Sequence, residues 1–330
     1  MRVLEVSRYK TNHASHQLPF VTEQGDAIRA LGHEVDYFLV KGNYIKAVGA
    51  LKRKIHEFKP DIVHAHFGLS AITAELQSLV PVVTTFHNGE TLNWHVNLMS
   101  SLMSLRAKYV IYVAQHIRDL SYFKARHYSI IPCGVPMEQM TIVPQSEARR
   151  QLGWDPNKKY ILFGGAFSNE RKNYALLKQA VDIINSNPSS VNPLIPSPVT
   201  CVEMKGLSRA ECVLRMNACD LFALPSHSEG SPQALKEAMA VNCPCLATDI
   251  ADVRELFGDE PGHFILRNPR KTHERWDGDQ NSLDEMVALL KEALAFEGRT
   301  NGRKRILELE LSNDQVAQRI VKIYEEVLSN

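Results

Sequence analysis

Two glutamates frame a short turn between an apolar strand and an apolar helix. The run is Ser228-Glu229-Gly230-Ser231-Pro232-Gln233-Ala234-Leu235-Lys236-Glu237. Leu221 to Leu224 reads as a buried strand, Ser226 to Gly230 as a polar loop, and Cys243 to Thr248 as a second apolar strand. Ser231 suits a helix N-cap, and Pro232 suits the first helical position. A strand, a Gly-containing loop and a capped helix gather backbone N–H groups and the positive end of a helix dipole at one point. That point suits a phosphate.

Glu229 lies in the loop, and Glu237 lies about one and a half turns into the helix. Helical side chains tilt toward the N-terminus, so Glu237 leans back toward the turn. A phosphate at Gly230, Ser231 and Pro232 then has a carboxylate on either side. Carboxylates accept well from sugar hydroxyls. The local chemistry therefore suits a diphosphate, a ribose and a sugar, which together are a nucleotide sugar. The plainer reading is an ordinary βαβ unit with surface glutamates. It accounts poorly for Glu237, which stands among Ala234, Leu235, Ala238 and Met239 beside the sheet-facing side. Burying a carboxylate there requires a partner.

A second loop, Gly164 to Asn173, follows another apolar strand and contains Gly164-Gly165 and Arg171-Lys172. Glycines let a phosphate approach closely, and two adjacent cations neutralise it. The competing reading is a solvated pair of charges at a helix start. At two further strand ends stand His87, in Thr85-Phe86-His87-Asn88-Gly89-Glu90, and the pair His64 and His66. Strand alternation puts both rings of the pair on one side, as a metal pair would need. Neighbouring sequence supplies neither a carboxylate nor a third histidine, so no metal is expected. A lone histidine such as His87 is as readily structural as functional.

Alternating strands and helices position these loops. Strands are expected at Arg2–Val6, Glu34–Val40, Asp61–His66, Pro81–Phe86, Ala107–Val113 and Ser129–Ile131. The helices between them are Pro19–Leu31, Tyr44–Phe58 and Leu69–Leu79. The pattern restarts after Val143, with strands at Lys159–Gly164 and Val199–Glu203 and helices at Tyr174–Asn185 and Arg209–Asn217. Asn185–Pro198 and Arg270–Asn281 read as loops, and Leu283–Ala295 and Val316–Leu328 as amphipathic helices. Such alternation means parallel sheets covered on both faces. Ligands of such sheets bind beyond the C-terminal strand ends, and two such domains facing each other make a cleft.

A chain of 330 residues accommodates two domains, and a net charge of +1 argues against bulk nucleic-acid binding. No apolar run approaches the roughly 20 residues of a membrane span. Met1 to Val6 is too short for a signal peptide and reads as a first core strand. The six cysteines lack a framework spacing and fit free thiols of a cytoplasmic protein; Cys243 and Cys245 have no second pair to complete a metal site. Lys46, Lys52, Arg53, Lys54 and Lys59 lie near Ile45, Val48 and Leu51. A solvated basic face is the first expectation for that helix, and peripheral contact with the inner face of a membrane is the second.

The segment EGSPQALKEAMAVNCPCLATDIADVRE resembles the E-x7-E region of family-4 glycosyltransferases. Glu229 and Glu237 match its two glutamates, with EG-x-P-x-A-x-x-EAMA and P-x-x-A-T-D around them. Gly164 to Asn173 resembles the basic donor-phosphate loop of that family. Lys172 matches its Lys, whereas Ala166 stands where an Arg is usual, which leaves Arg171 to take that role. Thr85 to Gly89 resembles T-x-H-G with Asn88 inserted, and Ile131-Pro132-Cys133-Gly134-Val135 resembles the I-P-x-G-V turn near the domain junction. The N-terminal loop departs: Tyr9 to His16 replaces a glycine pair.

The resemblance implies the GT-B fold, an α/β architecture of two Rossmann-like parallel-sheet domains facing across a cleft. An acceptor domain would span 1–143 and a nucleotide-sugar donor domain 144–312, with the 313–330 helix crossing back to the first. It implies a retaining transferase that moves a sugar from a UDP- or GDP-sugar to a glycan, lipid-linked or small-molecule acceptor. His87 would lie near the reacting carbon. His64 and His66 would line the cleft. Glu229 would hold the donor sugar and Glu237 the ribose. Arg171, Lys172, Gly230, Ser231 and Pro232 would hold the diphosphate, with Met204 and Gly206 near the base. The leaving phosphate would take the acceptor proton, and no metal cofactor would be needed because cations and helix dipole replace it. Two rivals use the same ligand: an epimerase or hydrolase on this fold, and a non-catalytic nucleotide-sugar binding protein. Cell-envelope glycan synthesis is the expected setting.

Overall fold

A computed structural model describes residues 1–9, 18–186, 198–267 and 280–329. The Tyr9 to His16 departure therefore lies almost wholly outside the described residues, as do most of the two expected loops after Asn185 and Arg270. The chain divides into two compact units, Met1–Gly134 with Glu310–Asn330, and Val135–Leu309. The break expected near Val143 thus falls inside the second unit.

The first unit begins β1 (Arg2–Arg8), α1 (Pro19–Ala30), β2 (Glu34–Val40), α2 (Val48–Phe58), β3 (Ile62–His66) and α3 (Gly68–Glu75). It continues β4 (Val82–Phe86), α4 (Trp94–Ser104), β5 (Tyr109–Tyr112), α5 (Gln115–Leu120) and β6 (Tyr128–Ile130). Its sheet has the order β2-β1-β3-β4-β5-β6, and every pairing is parallel. β3 and β4 are buried along their whole length, as strands covered on both faces must be. α4 and α5 were not anticipated, and α2 is shorter than expected. Leu51 and Ile55 of α2 face the core, and Lys54 pairs with Asp36. Of the apolar residues beside its cations, Leu51 is spent on packing, Val48 is half-buried and Ile45 stays exposed.

The second unit contains α6 (Gln145–Leu152), β7 (Tyr160–Phe163), α7 (Tyr174–Ser186), β8 (Thr200–Glu203), α8 (Arg209–Ala218) and β9 (Leu221–Leu224). After these come α9 (Gln233–Ala240), β10 (Cys245–Thr248), α10 (Val253–Phe257), β11 (His263–Leu266), α11 (Gln280–Ala295) and α12 (Gly302–Glu308). The sheet order is β11-β10-β9-β7-β8, again parallel throughout. The last helix, α13 (Asn313–Ser329), packs Val316, Ile320, Tyr324 and Val327 against Val3 and Ile28 of the first unit. Gly134 makes room for it, since a β-carbon there would meet the Asn313 backbone at 2.8 Å.

Candidate functional site

In the second sheet the chain leaves β7 toward β8 on one side and returns at β9 on the other. The C-terminal ends of β7 and β9 therefore border a topological switch point, where open α/β sheets bind ligands. The loop after β7 carries Gly164 and Gly165. Side chains at Gly164 are excluded because a β-carbon would meet the Phe222 ring at 2.7 Å. The Lys172 stem crosses Gly165 closely, 3.2 Å from where a β-carbon would stand. Glu170 to Lys172 form a single 3-10 turn, and Asn173 ends it in the left-handed region. This turn brings both cations to the loop after β9. Lys172 Nζ donates to Glu229 Oε1 at 2.7 Å; Arg171 Nη1 donates to the Ser228 carbonyl at 2.6 Å and lies 3.5 Å from Glu229 Oε2. Burial would raise the Glu229 carboxyl, but Lys172 and Arg171 outweigh it and hold it below the usual carboxylate range. Arg171 thus stands at the same carboxylate as Lys172.

α9 starts at Gln233, not at Pro232. Pro232 occupies the cap position, and Ser231 makes no cap: its hydroxyl donates to Asp252 Oδ2 at 2.6 Å. A carboxylate behind the turn competes for the hydroxyl that sequence reasoning gave to the helix. Burial pushes the Asp252 carboxyl up, opposed by the charge of Lys236, which is itself fully buried. Ser231 is therefore held from within the fold. Glu237 is buried and bonds Arg209 Nη1. Arg209 begins α8, whose start is set by a reciprocal Ser208–Glu211 capping box. Met204 bonds its N–H to the Gly165 carbonyl at 3.0 Å, and Gly206 takes a left-handed turn at φ +71°. Arg209, Lys236 and Asp252 were missed as site residues. The capping box was the readable signal for Arg209.

In the first unit, parallel register sets Glu5 opposite His64 and His66 opposite Thr85. The pair does have a carboxylate and a third histidine beside it, contrary to the sequence reading. Glu5 comes from β1, and His87 from the turn just after β4. Glu5 Oε2 accepts from His66 Nε2 at 2.7 Å, and His66 Nδ1 lies 3.1 Å from His87 Nε2. A proton held at His66 Nε2 leaves its Nδ1 to accept from His87 Nε2–H. His87 Nδ1 then faces the Cys133 thiol at 3.5 Å. His64 bonds the hydroxyls of Tyr324 at 2.5 Å and Thr85 at 2.7 Å. Ligand atoms of Glu5, His64 and His66 fall within 4.8 Å of one another, but every imidazole nitrogen of the pair is engaged. The arrangement is a buried hydrogen-bond network. Burial drives the His64 pKa down to about 3, so that ring is neutral. Burial opposes the charge on Glu5, yet its pKa is held below the usual value, with the hydrogen bond from His66 among the causes. Glu90, also missed, is buried and accepts from the N–H groups of Gly68 and His87 at 2.9 and 3.1 Å, fixing the turn that carries His87.

All six cysteines are free thiols; Cys219 and Cys243 lie 3.4 Å apart in the core. No helix among the described residues is long and apolar enough to cross a membrane.

Residues 36–139 match the family described as Glycosyltransferase Family 4, and residues 158–276 match Glycosyl transferases group 1. The chain belongs to the family-4 type of GT-B glycosyltransferases. A Bacillus subtilis (strain 168) protein that carries the name of a teichuronic acid biosynthesis glycosyltransferase, TuaC, is 26% identical over 65% of this chain. The match spans 59% of that relative's length. Sucrose-phosphate synthase from Thermosynechococcus elongatus superposes with a TM-score of 0.74 at 15% identity, covering 99% of each chain. Anabaena HepE, solved in complex with UDP-glucose, superposes with a TM-score of 0.71 at 14% identity, covering 99% of this chain and 100% of that one. At such identities these two likenesses carry the GT-B fold and not the family's individual activities.

Proposed function

We propose that this chain transfers a glycosyl group from a nucleotide-sugar donor to an acceptor, with retention at the anomeric carbon. The observation that carries this reading is the meeting of Arg171 and Lys172 with Glu229 beside the start of α9, at the switch point of the second sheet. Two cations and a helix start suit a diphosphate, and two carboxylates suit the hydroxyls on either side of it. As the anomeric C–O bond to the diphosphate breaks, charge builds on the leaving oxygens. Lys172, Arg171 and the N–H groups at the start of α9 stabilise that charge. The acceptor oxygen bonds to the same face of the sugar, and its proton passes to the leaving phosphate. Glu229 orients the donor sugar, Glu237 the ribose, and Met204 with Gly206 the base. The Glu5–His66 pair sets the tautomer of His87 on the acceptor side.

A UDP-sugar donor is favoured by the likeness to HepE, described with UDP-glucose. A cell-envelope glycan or its lipid-linked precursor is favoured as acceptor by the relative named for teichuronic acid synthesis. The deciding experiment incubates the chain with UDP- and GDP-sugars, alone and with envelope glycan acceptors, and resolves products by chromatography. Acceptor-dependent release of the diphosphate with an α-linked product from an α-linked donor is expected. Isomerised donor, rapid acceptor-independent hydrolysis, or donor binding without turnover across the acceptors would each replace this reading with one of its rivals.

A further inference from the structure

α4 is built inside out. Its inward face is small and polar: Asn97, Ser100, Ser101 and Ser104 are all buried. Its outward face carries Trp94, Leu98, Leu102 and Leu105, with Met99 alongside, all exposed, Trp94 to 60%. Spacings of four, four and three place those first four residues along one stripe.

The inversion has a packing cause. α3 and α4 approach so closely that a β-carbon on Gly68 would stand 2.0 Å from the Ser100 hydroxyl. Only small side chains fit there. Ser101 and Ser104 turn their hydroxyls back onto their own helix, to the carbonyls of Asn97 at 2.7 Å and Ser101 at 2.6 Å. Asn97 donates to the Leu120 carbonyl at 2.8 Å and accepts from the Tyr122 N–H at 3.4 Å. It thereby holds beside α4 a turn that exposes Leu120, Tyr122 and Phe123. An exposed apolar surface of this extent marks an interaction site.

The charges around it indicate the occupant. Between Glu90 and Glu138 the sequence contains one acid, Asp119, against Arg106, Lys108, Arg118, Lys124 and Arg126. Asp119 lies 4.0 Å from Arg118, and Arg106, Lys108, Lys124 and Arg126 are exposed. The rest of the chain carries 33 Lys and Arg against 36 Asp and Glu, so the positive excess lies in this segment. A second copy docked on this face would bring like charges together. An anionic lipid surface takes both the apolar stripe and the cations. We propose that the α4 face, with the Leu120 to Phe123 turn, docks the first unit on an anionic membrane surface.

The test is flotation of the full chain with vesicles of equal parts phosphatidylglycerol and phosphatidylcholine, at low salt. The parent should float with these vesicles and bind pure phosphatidylcholine much less. Leu98→Ser with Leu102→Ser should lower binding roughly tenfold, as should Arg106→Glu with Lys108→Glu. All four positions are exposed, and circular dichroism verifies that the variants stay folded. Vesicles should shift Trp94 emission to the blue, and Trp94→Phe should abolish the shift. No parent binding, or parent-like binding by both double variants, overturns the proposal. So does a concentration-dependent dimer lost in the Leu98/Leu102 variant without vesicle binding, which assigns the face to a second copy.

Discussion

Lys172 Nζ lies 2.7 Å from Glu229 Oε1, so the carboxylate engages the cation proposed to bind a diphosphate. On that reading Glu229 and the diphosphate would compete for one charge. Glu229→Ala should therefore bind free nucleoside diphosphate at least as tightly as the parent, while kcat and kcat/KM for transfer fall together. Calorimetry paired with steady-state rates checks this; weaker diphosphate binding in the variant contradicts it.

Removing the cations should act in the opposite direction. Lys172→Ala should weaken diphosphate binding by about 1.5–3 kcal/mol, the usual scale for a hydrogen bond to a charged group. Arg171→Ala should also weaken it, because Arg171 stands 3.5 Å from the same carboxylate. Unchanged affinity in both variants would take this loop out of the site.

Glu237 presents a different case. Its partner Arg209 comes from another helix, and the pair is largely buried. Glu237→Ala should weaken diphosphate and intact donor alike, because both contain the ribose. Arg209→Ala should lower thermal stability as well, since it removes a charged partner of the buried Glu237 carboxylate. Equal diphosphate affinity for Glu237→Ala and the parent removes Glu237 from ribose binding.

Turnover should survive chelation. On the proposed reading, Arg171, Lys172 and the N–H groups at the start of α9 would do the work that a divalent ion does elsewhere. An assay after dialysis against EDTA should retain its rate; loss restored by Mg²⁺ or Mn²⁺ refutes metal independence.

The buried His64 gives the first unit an acid sensitivity. An unfolded chain protonates this ring near 6.5, while the folded ring stays neutral down to about 3. As pH falls below 6.5 the unfolded state binds the extra proton, so stability declines by about 1.4 kcal/mol per pH unit. Urea denaturation at a series of pH values should show His64→Gln with a shallower decline than the parent. Identical slopes would mean that His64 is protonated in the folded chain.

Much of the second unit was legible in its sequence. Apolar runs such as Leu221–Leu224 are buried on both faces and have one period to read, and glycines at 164 and 165 mark a loop whatever surrounds it. Glu237 could be recognised as needing a partner because its neighbours are apolar. The identity of that partner could not, since Arg209 reaches it only through the packing of α8 near α9. Ser231 illustrates the opposite failure: its local preference for capping loses to Asp252, a carboxylate brought in by the fold.

The first unit depended more heavily on tertiary structure. His64 and His66 share a face by alternation alone, but Glu5 joins them because β1 and β3 are neighbours in a sheet whose order is not the order of the chain. α4 departs furthest from local rules. An amphipathic pattern shows which residues share a side but not which side is buried. Sequence periodicity sets Trp94, Leu98, Leu102 and Leu105 on one stripe; the close approach of Gly68 to Ser100 turns the serines inward and leaves that stripe exposed.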